Sequence, residues 1–459
     1  MSLTSYRAAP PREVCYNPSM TEQRLQADIV IKNGMVLTMD PKLTLYEKAD
    51  VVVSGSKIID ISPHTKYKAK KEIDASGKLV MPGLINTHTH AAMTLLRGLA
   101  DDMPLDIWWQ KFIFPIEQKL LDPEFIRVGV GLAAVEMIKS GTTSFADMYF
   151  FEDDAAEVCA KIGIRAFLGE GVIDFPSPRH PNAENALNYI RELYQKWKGH
   201  PTVHLMVAPH APYSCNRENL LKSKALADAL NIPLHIHVSE TAKEVAESKE
   251  KYGLRPVEYL DSIGFLSGRV IAVHCVHVSP DEISILNQRK VKVAHCPESN
   301  MKLASGNAPV NEMLAAGITV GLGTDGAASN NNLDMFDEMD VTAKVHKMTR
   351  NDPVGMSAPT VLKMATSEGA KVVQNPDIGS LEVGKTADII LIDLNKPHLV
   401  PLYNVYSHLV YSAGGSEVDT VIINGKLVME GRKVLTIDED KLLSQARQMG
   451  ERIKKHVGL

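Results

Sequence analysis

The chain has 459 residues, of which 44% are hydrophobic and 23% charged, and its formal net charge is −5. This composition is that of an ordinary globular protein and excludes a disordered or fibrous one. No segment concentrates lysine and arginine as a nucleic-acid surface requires, and no apolar run approaches the roughly 18 to 20 residues that span a bilayer. We therefore expect neither a nucleic acid nor a membrane as a partner.

Short β-type runs separated by tight-turn residues occupy both ends of the chain. Residues 1–23 precede these runs and are polar, so we expect them to form a tail without a chemical role. Because chain ends commonly lie near each other, we expect residues 24–83 and 381–440 to combine into one small β-sandwich domain. A C-terminal helix is predicted over residues 441–459.

The middle of the chain, residues 84–380, alternates buried-strand runs with helix-length segments, as α/β proteins with parallel strands do. Eight such runs begin at Leu79, Thr142, Arg165, Thr202, Pro233, Val270, Val291 and Thr319. An open doubly wound sheet more often shows a Gly-rich phosphate-binding turn after its first strand, and none is present. The pattern therefore predicts an α/β fold with a (β/α)₈ TIM barrel.

Five cysteines are dispersed along the chain without any Cys-x-x-Cys pair: Cys15, Cys159, Cys215, Cys275 and Cys296. Their odd number and wide spacing favour free thiols in a reducing compartment. The N-terminal residues also lack the apolar block of a signal peptide. We expect a cytoplasmic protein, and the sequence leaves a monomer and a homo-oligomer both open.

Histidine and aspartate end several of the eight runs, where a barrel of this type carries its active site. His88 and His90 end the first run, and the period of two along a strand directs both imidazoles to one side. The fourth to eighth runs end at or near His210, His237, His274, His295 and Asp325. Imidazole and carboxylate groups are the ligands that Zn²⁺ or Fe²⁺ accepts in catalytic sites.

A simpler interpretation exists for each of these residues alone. A single strand histidine is more often a core residue, which is our interpretation of His204 and His235, and Asp325-Gly326 also fits a tight turn. The conjunction at the ends of strands one, five, six and eight argues against chance, because an unpaired buried imidazole costs desolvation free energy.

The run PGLINTHTH from Pro82, together with His237, His274 and Asp325, resembles the amidohydrolase superfamily over essentially the whole chain. The resemblance implies a barrel flanked by a β-sandwich built from both chain ends. Binuclear members carry a carboxylated lysine at the end of strand four, where this sequence has His210. The resemblance therefore implies one divalent metal ion per chain, Zn²⁺ or alternatively Fe²⁺, as in the mononuclear members, which are often deaminases.

Longer motifs are similar to the family of 5′-methylthioadenosine/S-adenosylhomocysteine deaminases. They are Trp108, HAAMTLLRG from His90, PIE from Pro115, APH from Ala208, HVSET from His237, HCVH from His274, SNMKL from Ser299 and LGTDGAASN from Leu322. The resemblance assigns the metal to His88, His90, His237 and Asp325, catalysis to Glu240, His274 and Asp325, and the substrate to Trp108, Glu117, Arg179, His210, Glu240 and Asp325. It implies hydrolysis of an adenosine-type nucleoside to the inosine analogue and ammonia.

One position departs from that family, whose members commonly carry arginines near the third strand that meet the amino-acid carboxylate of S-adenosylhomocysteine. Glu170 stands where one of these arginines aligns, and Arg179 is the remaining candidate. The resemblance therefore favours 5′-methylthioadenosine and adenosine over the homocysteine adduct as substrates.

Two other functions stay open at this point. Another mononuclear hydrolase, such as a guanine deaminase or a triazine hydrolase, would keep the metal ligands and change the pocket, but Glu117 and Trp108 argue against it. The second alternative is a non-catalytic barrel that serves as an assembly protein. Such a protein would not need four metal ligands together with Glu240. The other fold of nucleobase deaminases requires a Cys-x-x-Cys zinc site, which is absent.

Overall fold

The computed structural model describes residues 25–103 and 107–458. The tail predicted for residues 1–23 lies outside these residues. The strands within them are β1 (Gln26–Leu37), β2 (Leu45–Ser54), β3 (Lys57–Ser62), β4 (Lys68–Asp74), β5 (Lys78–Pro82), β6 (Leu84–Thr89), β7 (Thr142–Tyr149), β8 (Arg165–Val172), β9 (Val203–Pro209), β10 (Leu234–Val238), β11 (Val270–His274), β12 (Lys292–His295), β13 (Val320–Leu322), β14 (Ile389–Asp393), β15 (Val418–Ile423), β16 (Lys426–Glu430) and β17 (Lys433–Val434).

Strands from both chain ends form one mixed sheet in the order β17-β16-β15-β14-β5-β1-β2-β3, with β4 beside β1. The two ends meet where β5 pairs antiparallel with β14. Successive residues of β2 pack on opposite faces of this sheet: Val51 and Val53 join one apolar cluster, and Val52 joins another with Val30. The period of two in the sequence therefore produces a sheet with two buried faces.

The strands β6 to β13 form the second sheet in chain order, and each pair of neighbours is parallel. Its first and last strands lie side by side, since the Thr87 hydroxyl donates to the Leu322 carbonyl at 2.8 Å. Just beyond these strands, the Asp325 amide donates to the His88 carbonyl at 3.0 Å. These contacts close the eight strands into a TIM barrel, which confirms the predicted fold class.

The first predicted strand is divided between the two sheets, because β5 belongs to the mixed sheet and β6 to the barrel. Gly83 lies between them, and a Cβ atom there would approach the side chain of Thr143 to 2.1 Å. No side chain fits at that distance, so the chain can leave one sheet and enter the other only through a glycine. The uninterrupted apolar run conceals this change of sheet.

Helices connect the barrel strands and extend beyond them. They are α1 (Phe114–Leu120), α2 (Pro123–Lys139), α3 (Glu152–Ile162), α4 (Ala183–Trp197), α5 (Arg217–Leu230), α6 (Ala242–Tyr252), α7 (Pro256–Ser262), α8 (Pro280–Gln288), α9 (Pro297–Lys302), α10 (Val310–Ala315), α11 (Met335–Arg350), α12 (Ala358–Met364), α13 (Ser367–Val372), α14 (Val405–Tyr411) and α15 (Glu439–Val457). In the described ranges none of them is both long and apolar enough to cross a membrane.

Polar capping residues set where several helices begin. The Asp122 carboxylate accepts from the Phe125 amide at 2.8 Å before α2, and Ser279 forms a capping box with Glu282 before α8. Such caps satisfy amides that have no partner within the helix. Helix α15 begins after the cap Asp438, two residues before the predicted start. The domain boundaries drawn from the sequence stay a prediction.

Candidate active site

A cavity of about 560 Å³ opens at the carboxyl ends of the barrel strands. Its lining includes most of the predicted site residues: His90, Trp108, Glu117, His210, His237, Glu240, His274 and Asp325. His88 is fully buried beside it, with its ring 4.8 Å from that of His90. Arg179 is the predicted residue that the structure does not bring to this cavity.

Three imidazoles and one carboxylate converge at one end of the cavity. His88 Nε2 lies 3.3 Å from His237 Nε2 and 3.3 Å from Asp325 Oδ1, and His90 Nε2 lies 3.3 Å from the same oxygen. A tetrahedral zinc site with bonds of about 2.0 to 2.1 Å requires ligand atoms about 3.3 to 3.4 Å apart. Three separations among the proposed donor atoms therefore match a tetrahedral zinc site, and two overlapping groups could hold a metal ion: His88, His90 and Asp325, and His88, His237 and His274.

Hydrogen bonds on the far side of two rings orient the imidazoles of this cluster. His90 Nδ1 donates to the Met148 carbonyl at 2.6 Å, and His237 Nδ1 donates to the His210 carbonyl at 2.9 Å. Each bond leaves the Nε2 lone pair directed to the cluster, as a metal ligand requires. Burial also lowers the pKa of His88 to about 4, which keeps that ring neutral and able to ligate.

Several neighbouring groups fix the charge and the orientation of the Asp325 carboxylate. Burial by itself would raise its pKa, but the His88 hydrogen bond and the neighbouring imidazoles keep the pKa of Asp325 well below its usual range. The Gly326 amide donates to Oδ1 at 2.8 Å, and the Ser299 hydroxyl donates to Oδ2 at 2.6 Å. The residue itself has a φ of 62°, and His274 has one of 68°. Such left-handed backbone costs about 1 to 3 kcal/mol and is typical of functional sites.

Glu240 and His274 lie together beside the cluster. The Glu240 side chain is nearly buried, and its Oε2 is 3.8 Å from His274 Nε2. Burial raises the pKa of Glu240, which favours a protonated carboxyl group able to donate a hydrogen bond. His274 Nδ1 donates to the amide oxygen of Asn300 at 2.9 Å, which directs its Nε2 lone pair to the cavity.

A second carboxylate, that of Glu117 in α1, lines the cavity and is 3% exposed. Burial raises the pKa of Glu117 to about 7, although a hydrogen bond of 2.7 Å from the Tyr149 hydroxyl acts in the opposite direction. Trp108 is also almost completely buried and begins a π-helical turn, Trp108–Ile113, that continues into α1. This helical segment therefore carries both residues into the same cavity.

An aromatic wall lines the cavity next to Glu117. The ring of Trp109 lies 5.1 Å from that of Phe114 and 6.4 Å from that of Phe175, and the last two are 5.7 Å apart. Trp109 also stacks on His210, with ring centroids 6.4 Å apart and planes inclined by 15°. Offset aromatic packing of this kind offers an apolar surface of fixed shape.

Comparison with known proteins agrees with this geometry. The profile of the amidohydrolase family matches residues 79–428. The chain is 46% identical over 434 residues to the 5-methylthioadenosine/S-adenosylhomocysteine deaminase of Syntrophobacter fumaroxidans, which covers 94% of this chain and 99% of the relative. The chain belongs to the amidohydrolase family. This amidohydrolase is also 47% identical over 433 residues to the 5′-deoxyadenosine deaminase of Methanosarcina mazei, covering 94% of this chain and 99% of that one.

Solved structures resemble this amidohydrolase over almost its full length. An adenosine deaminase from Xanthomonas campestris with bound zinc is 40% identical and has a TM-score of 0.92, covering 94% of this chain and 99% of that one. The atrazine chlorohydrolase of Arthrobacter aurescens, complexed with zinc, has a TM-score of 0.87 over 92% of this chain and 100% of its own, but at 24% identity it shows the fold alone.

These findings confirm the predicted family and the predicted enzyme class, a hydrolase that acts on carbon–nitrogen bonds. The curated relatives carry the names of nucleoside deaminases, as the sequence predicts, so a small molecule is the substrate class. The His/Asp cluster, together with the zinc-bound adenosine deaminase that this chain resembles, supports a divalent metal ion. The roles of individual residues stay predictions.

Arg179 packs against two aromatic rings and does not line the cavity of the metal cluster. Its guanidinium carbon is 4.3 Å from the ring centroid of Tyr189 and 4.9 Å from that of Phe151. These contacts place it in a separate, shallow depression of the amidohydrolase that His180 also lines. The predicted contact of Arg179 with the amino-acid carboxylate of S-adenosylhomocysteine stays a prediction.

Glu170, which occupies the aligned arginine position, is buried and has a structural environment. Its carboxylate accepts hydrogen bonds from the amides of Phe151 and Glu152 at 3.3 and 2.9 Å, and His180 Nε2 lies 3.0 Å from it. These contacts hold the turn between β7 and α3. Glu170 therefore stabilises a loop of the amidohydrolase and offers no positive charge to an anion.

Several residues around the site received no role from the sequence. Asp147 accepts from the Thr89 hydroxyl at 2.9 Å and from the Ala91 amide at 2.8 Å, and thus fixes the chain on both sides of His90. The sequence could have indicated Asp147, because an aspartate within an otherwise apolar buried strand is unusual. Ser299 and Asn300 stand in a quoted motif, but only the structure shows that they contact Asp325 and His274.

Proposed function

We propose that this amidohydrolase removes the 6-amino group of adenosine-type nucleosides by hydrolysis, using one Zn²⁺ ion per chain. The observation that carries the proposal is a single cavity whose lining joins His90, His237 and Asp325, beside the buried His88, to two buried carboxyl groups, Glu240 and Glu117. The names of the deaminase relatives agree with it. A cytoplasmic location stays a prediction from the sequence.

We assign the ion to His88, His90, His237 and Asp325, because three of the separations between their donor atoms are the 3.3 Å of a tetrahedral zinc site. When bound, zinc supplies Lewis-acid chemistry that lowers the pKa of a bound water molecule to about 7. The hydrogen bonds from His90 and His237 to main-chain carbonyls support this assignment, because they fix which ring nitrogen is free to ligate.

The protein groups around the ligand set would move the protons of the reaction. Water adds its oxygen to C6 of the adenine ring, and the C6–N6 bond then breaks to release ammonia. Glu240, whose raised pKa favours the protonated form, donates to ring N1 during the attack. Asp325 would accept one proton of the attacking water and transfer it to the leaving amino group, and the second proton of that water would return to Glu240 as the C6=O bond forms. His274 orients the attacking oxygen through Nε2.

The other end of the cavity would hold the sugar. An ionised Glu117 accepts hydrogen bonds from ribose hydroxyls, because a carboxylate is an acceptor only. His210 and Trp108 border the same space. The predicted contact of Arg179 with the substrate is not part of this proposal.

The aromatic wall of Trp109, Phe114 and Phe175 supports a neutral 5′ substituent. Among the described residues no arginine lines the cavity, and Lys243 is the lysine that does. A methylthio group or a 5′-deoxy carbon would lose water against these rings at little cost, whereas a zwitterionic amino acid would lose its hydration without an arginine partner. We therefore place 5′-methylthioadenosine and 5′-deoxyadenosine ahead of S-adenosylhomocysteine as substrates.

A deamination panel tests the proposal. The ultraviolet change from adenine to hypoxanthine would be measured for 5′-methylthioadenosine, 5′-deoxyadenosine, adenosine and S-adenosylhomocysteine. Ammonia release would be measured for these and for guanine, and chloride release for a chlorotriazine. We expect turnover of the first three, with the first two preferred. Turnover of guanine or the triazine alone would overturn the proposed function.

A further inference from the structure

Tyr149 lines the cavity but is not among the residues proposed to bind the metal ion, the sugar or the adenine ring. It ends β7 and is 4% exposed, and its hydroxyl donates a hydrogen bond of 2.7 Å to Oε1 of Glu117. Its ring centroid lies 6.2 Å from that of His90, and the carbonyl of the preceding residue, Met148, accepts from His90 Nδ1 at 2.6 Å. Two adjacent residues of one barrel strand therefore contact the metal cluster and the Glu117 carboxylate.

The fixed position of Tyr149 makes it suitable to orient another side chain. Its amide donates to Oε1 of Glu152 at 3.1 Å, and its ring packs 5.6 Å from that of Phe150. The carboxylate plane of a glutamate, in contrast, rotates about a broad and roughly two-fold torsion. A buried hydroxyl that donates to one carboxylate oxygen restricts that rotation and forms a charge-assisted hydrogen bond when the carboxylate is ionised.

We propose that Tyr149 is a positioning residue that commits one oxygen of Glu117 and presents the other to the ribose hydroxyls, and so sets the selectivity of the enzyme for ribose over deoxyribose. The inference rests on the proposed function and adds a determinant of sugar specificity to it. Tyr149 acts through Glu117 and takes no part in the proton transfers at C6.

The direct test compares 5′-deoxyadenosine with its 2′,3′-dideoxy analogue on the wild-type enzyme and on Tyr149→Phe. The substitution keeps the ring and removes the hydroxyl. We expect KM for 5′-deoxyadenosine to rise about tenfold, as the loss of one hydrogen bond to a charged group implies. We expect kcat for both substrates and KM for the analogue to change less than about twofold, so the ratio between the two substrates falls.

Tyr406→Phe is the matched control. The Tyr406 hydroxyl donates to the Leu43 carbonyl at 3.1 Å outside the cavity, so this variant also loses one tyrosine hydrogen bond. We expect its substrate ratio to equal that of the wild type. Zinc content and Tm of all variants show whether each protein is folded and loaded.

A double-mutant cycle with Glu117→Gln decides whether Tyr149 acts through Glu117. In the Glu117→Gln background, Tyr149→Phe should leave the substrate ratio unchanged, because the carboxylate that it orients is gone. An additive effect of the two substitutions, or a Tyr149→Phe enzyme that loses kcat with an unchanged ratio, would overturn the inference.

The outcomes for the two proposals can be separated. Failure of the wild-type enzyme to release ammonia from every adenine nucleoside overturns the proposed function. Turnover by the wild type together with an unchanged ratio in Tyr149→Phe leaves the proposed function standing and overturns only the role of Tyr149.

Discussion

The Ser299 hydroxyl donates a 2.6 Å hydrogen bond to Oδ2 of Asp325, while the other oxygen of that carboxylate lies 3.3 Å from the Nε2 atoms of His88 and His90. The two oxygens of Asp325 therefore have different partners. Oδ1 faces the donor set of the metal site, and Oδ2 faces a hydroxyl group that fixes the carboxylate plane.

We expect Ser299→Ala to lower kcat about tenfold, because small misplacements of a catalytic group are costly. Zinc content should stay at one ion per chain, since the ligand atoms are retained. Ser284→Ala is the control: its hydroxyl bonds to the Pro280 carbonyl at 3.1 Å on an exposed helix. An unchanged kcat in Ser299→Ala would show that Asp325 needs no help from this hydroxyl.

The sequence predicts the residues at the ends of the barrel strands, because their spacing along a strand is a local property of the chain. His88 and His90 are two residues apart on a strand, and that spacing alone directs both rings to one side. The His237 and Asp325 positions followed from counting strands, because parallel strands of a barrel present their carboxyl ends on one face. The structure brings His237 and Asp325 each to 3.3 Å from His88, and His90 to 3.3 Å from Asp325.

The sequence does not predict hydrogen bonds between distant segments in this way. The bonds from Ser299 to Asp325 and from Tyr149 to Glu117 join residues 26 and 32 positions apart. They depend on how a helix and a strand pack, and no periodicity encodes that packing. The place of Arg179 likewise depends on packing between segments, because its guanidinium lies over the rings of Phe151 and Tyr189.

Glu240→Gln should nearly abolish turnover while zinc content stays near one ion per chain. The amide keeps the size of the side chain but cannot give up a proton to ring N1, a role worth about 100-fold to 10,000-fold in general acid catalysis. Glu250→Gln, at an exposed position of the following helix α6, is the matched control and should behave as the wild type. Substantial turnover by Glu240→Gln would remove Glu240 from its proposed role.

Removal of the metal by a chelator should abolish deamination, and added Zn²⁺ should restore it. The apo-enzyme should also have a lower Tm, because an ion that binds only the folded chain stabilises it by mass action. Activity, zinc by atomic absorption and Tm would be followed in one titration. Full activity in the metal-free protein would contradict the proposed mechanism, whereas an unchanged Tm would place the ion outside this cluster.

Titration of the Glu117 carboxyl group should make KM depend on pH. Burial raises the pKa of its carboxyl group to about 7, so the group is largely neutral below that pH and ionised above it. Only the ionised form accepts hydrogen bonds through both oxygens, so KM for 5′-deoxyadenosine should fall as the pH rises from about 6 to about 8. In Glu117→Gln this change should disappear, and a KM that still falls in this variant would assign the titration to another group.

The same pKa has a consequence for stability with a defined sign. Because the folded chain raises the pKa of Glu117 from 4.5 to about 7, folding takes up a proton in this interval, and the free energy of unfolding falls as the pH rises through it. Glu117→Gln carries no such charge, so its Tm relative to the wild type should increase between pH 5 and pH 8. Thermal unfolding of both proteins at these two pH values measures the difference, and a constant difference would show that Glu117 titrates alike in the folded and unfolded chains.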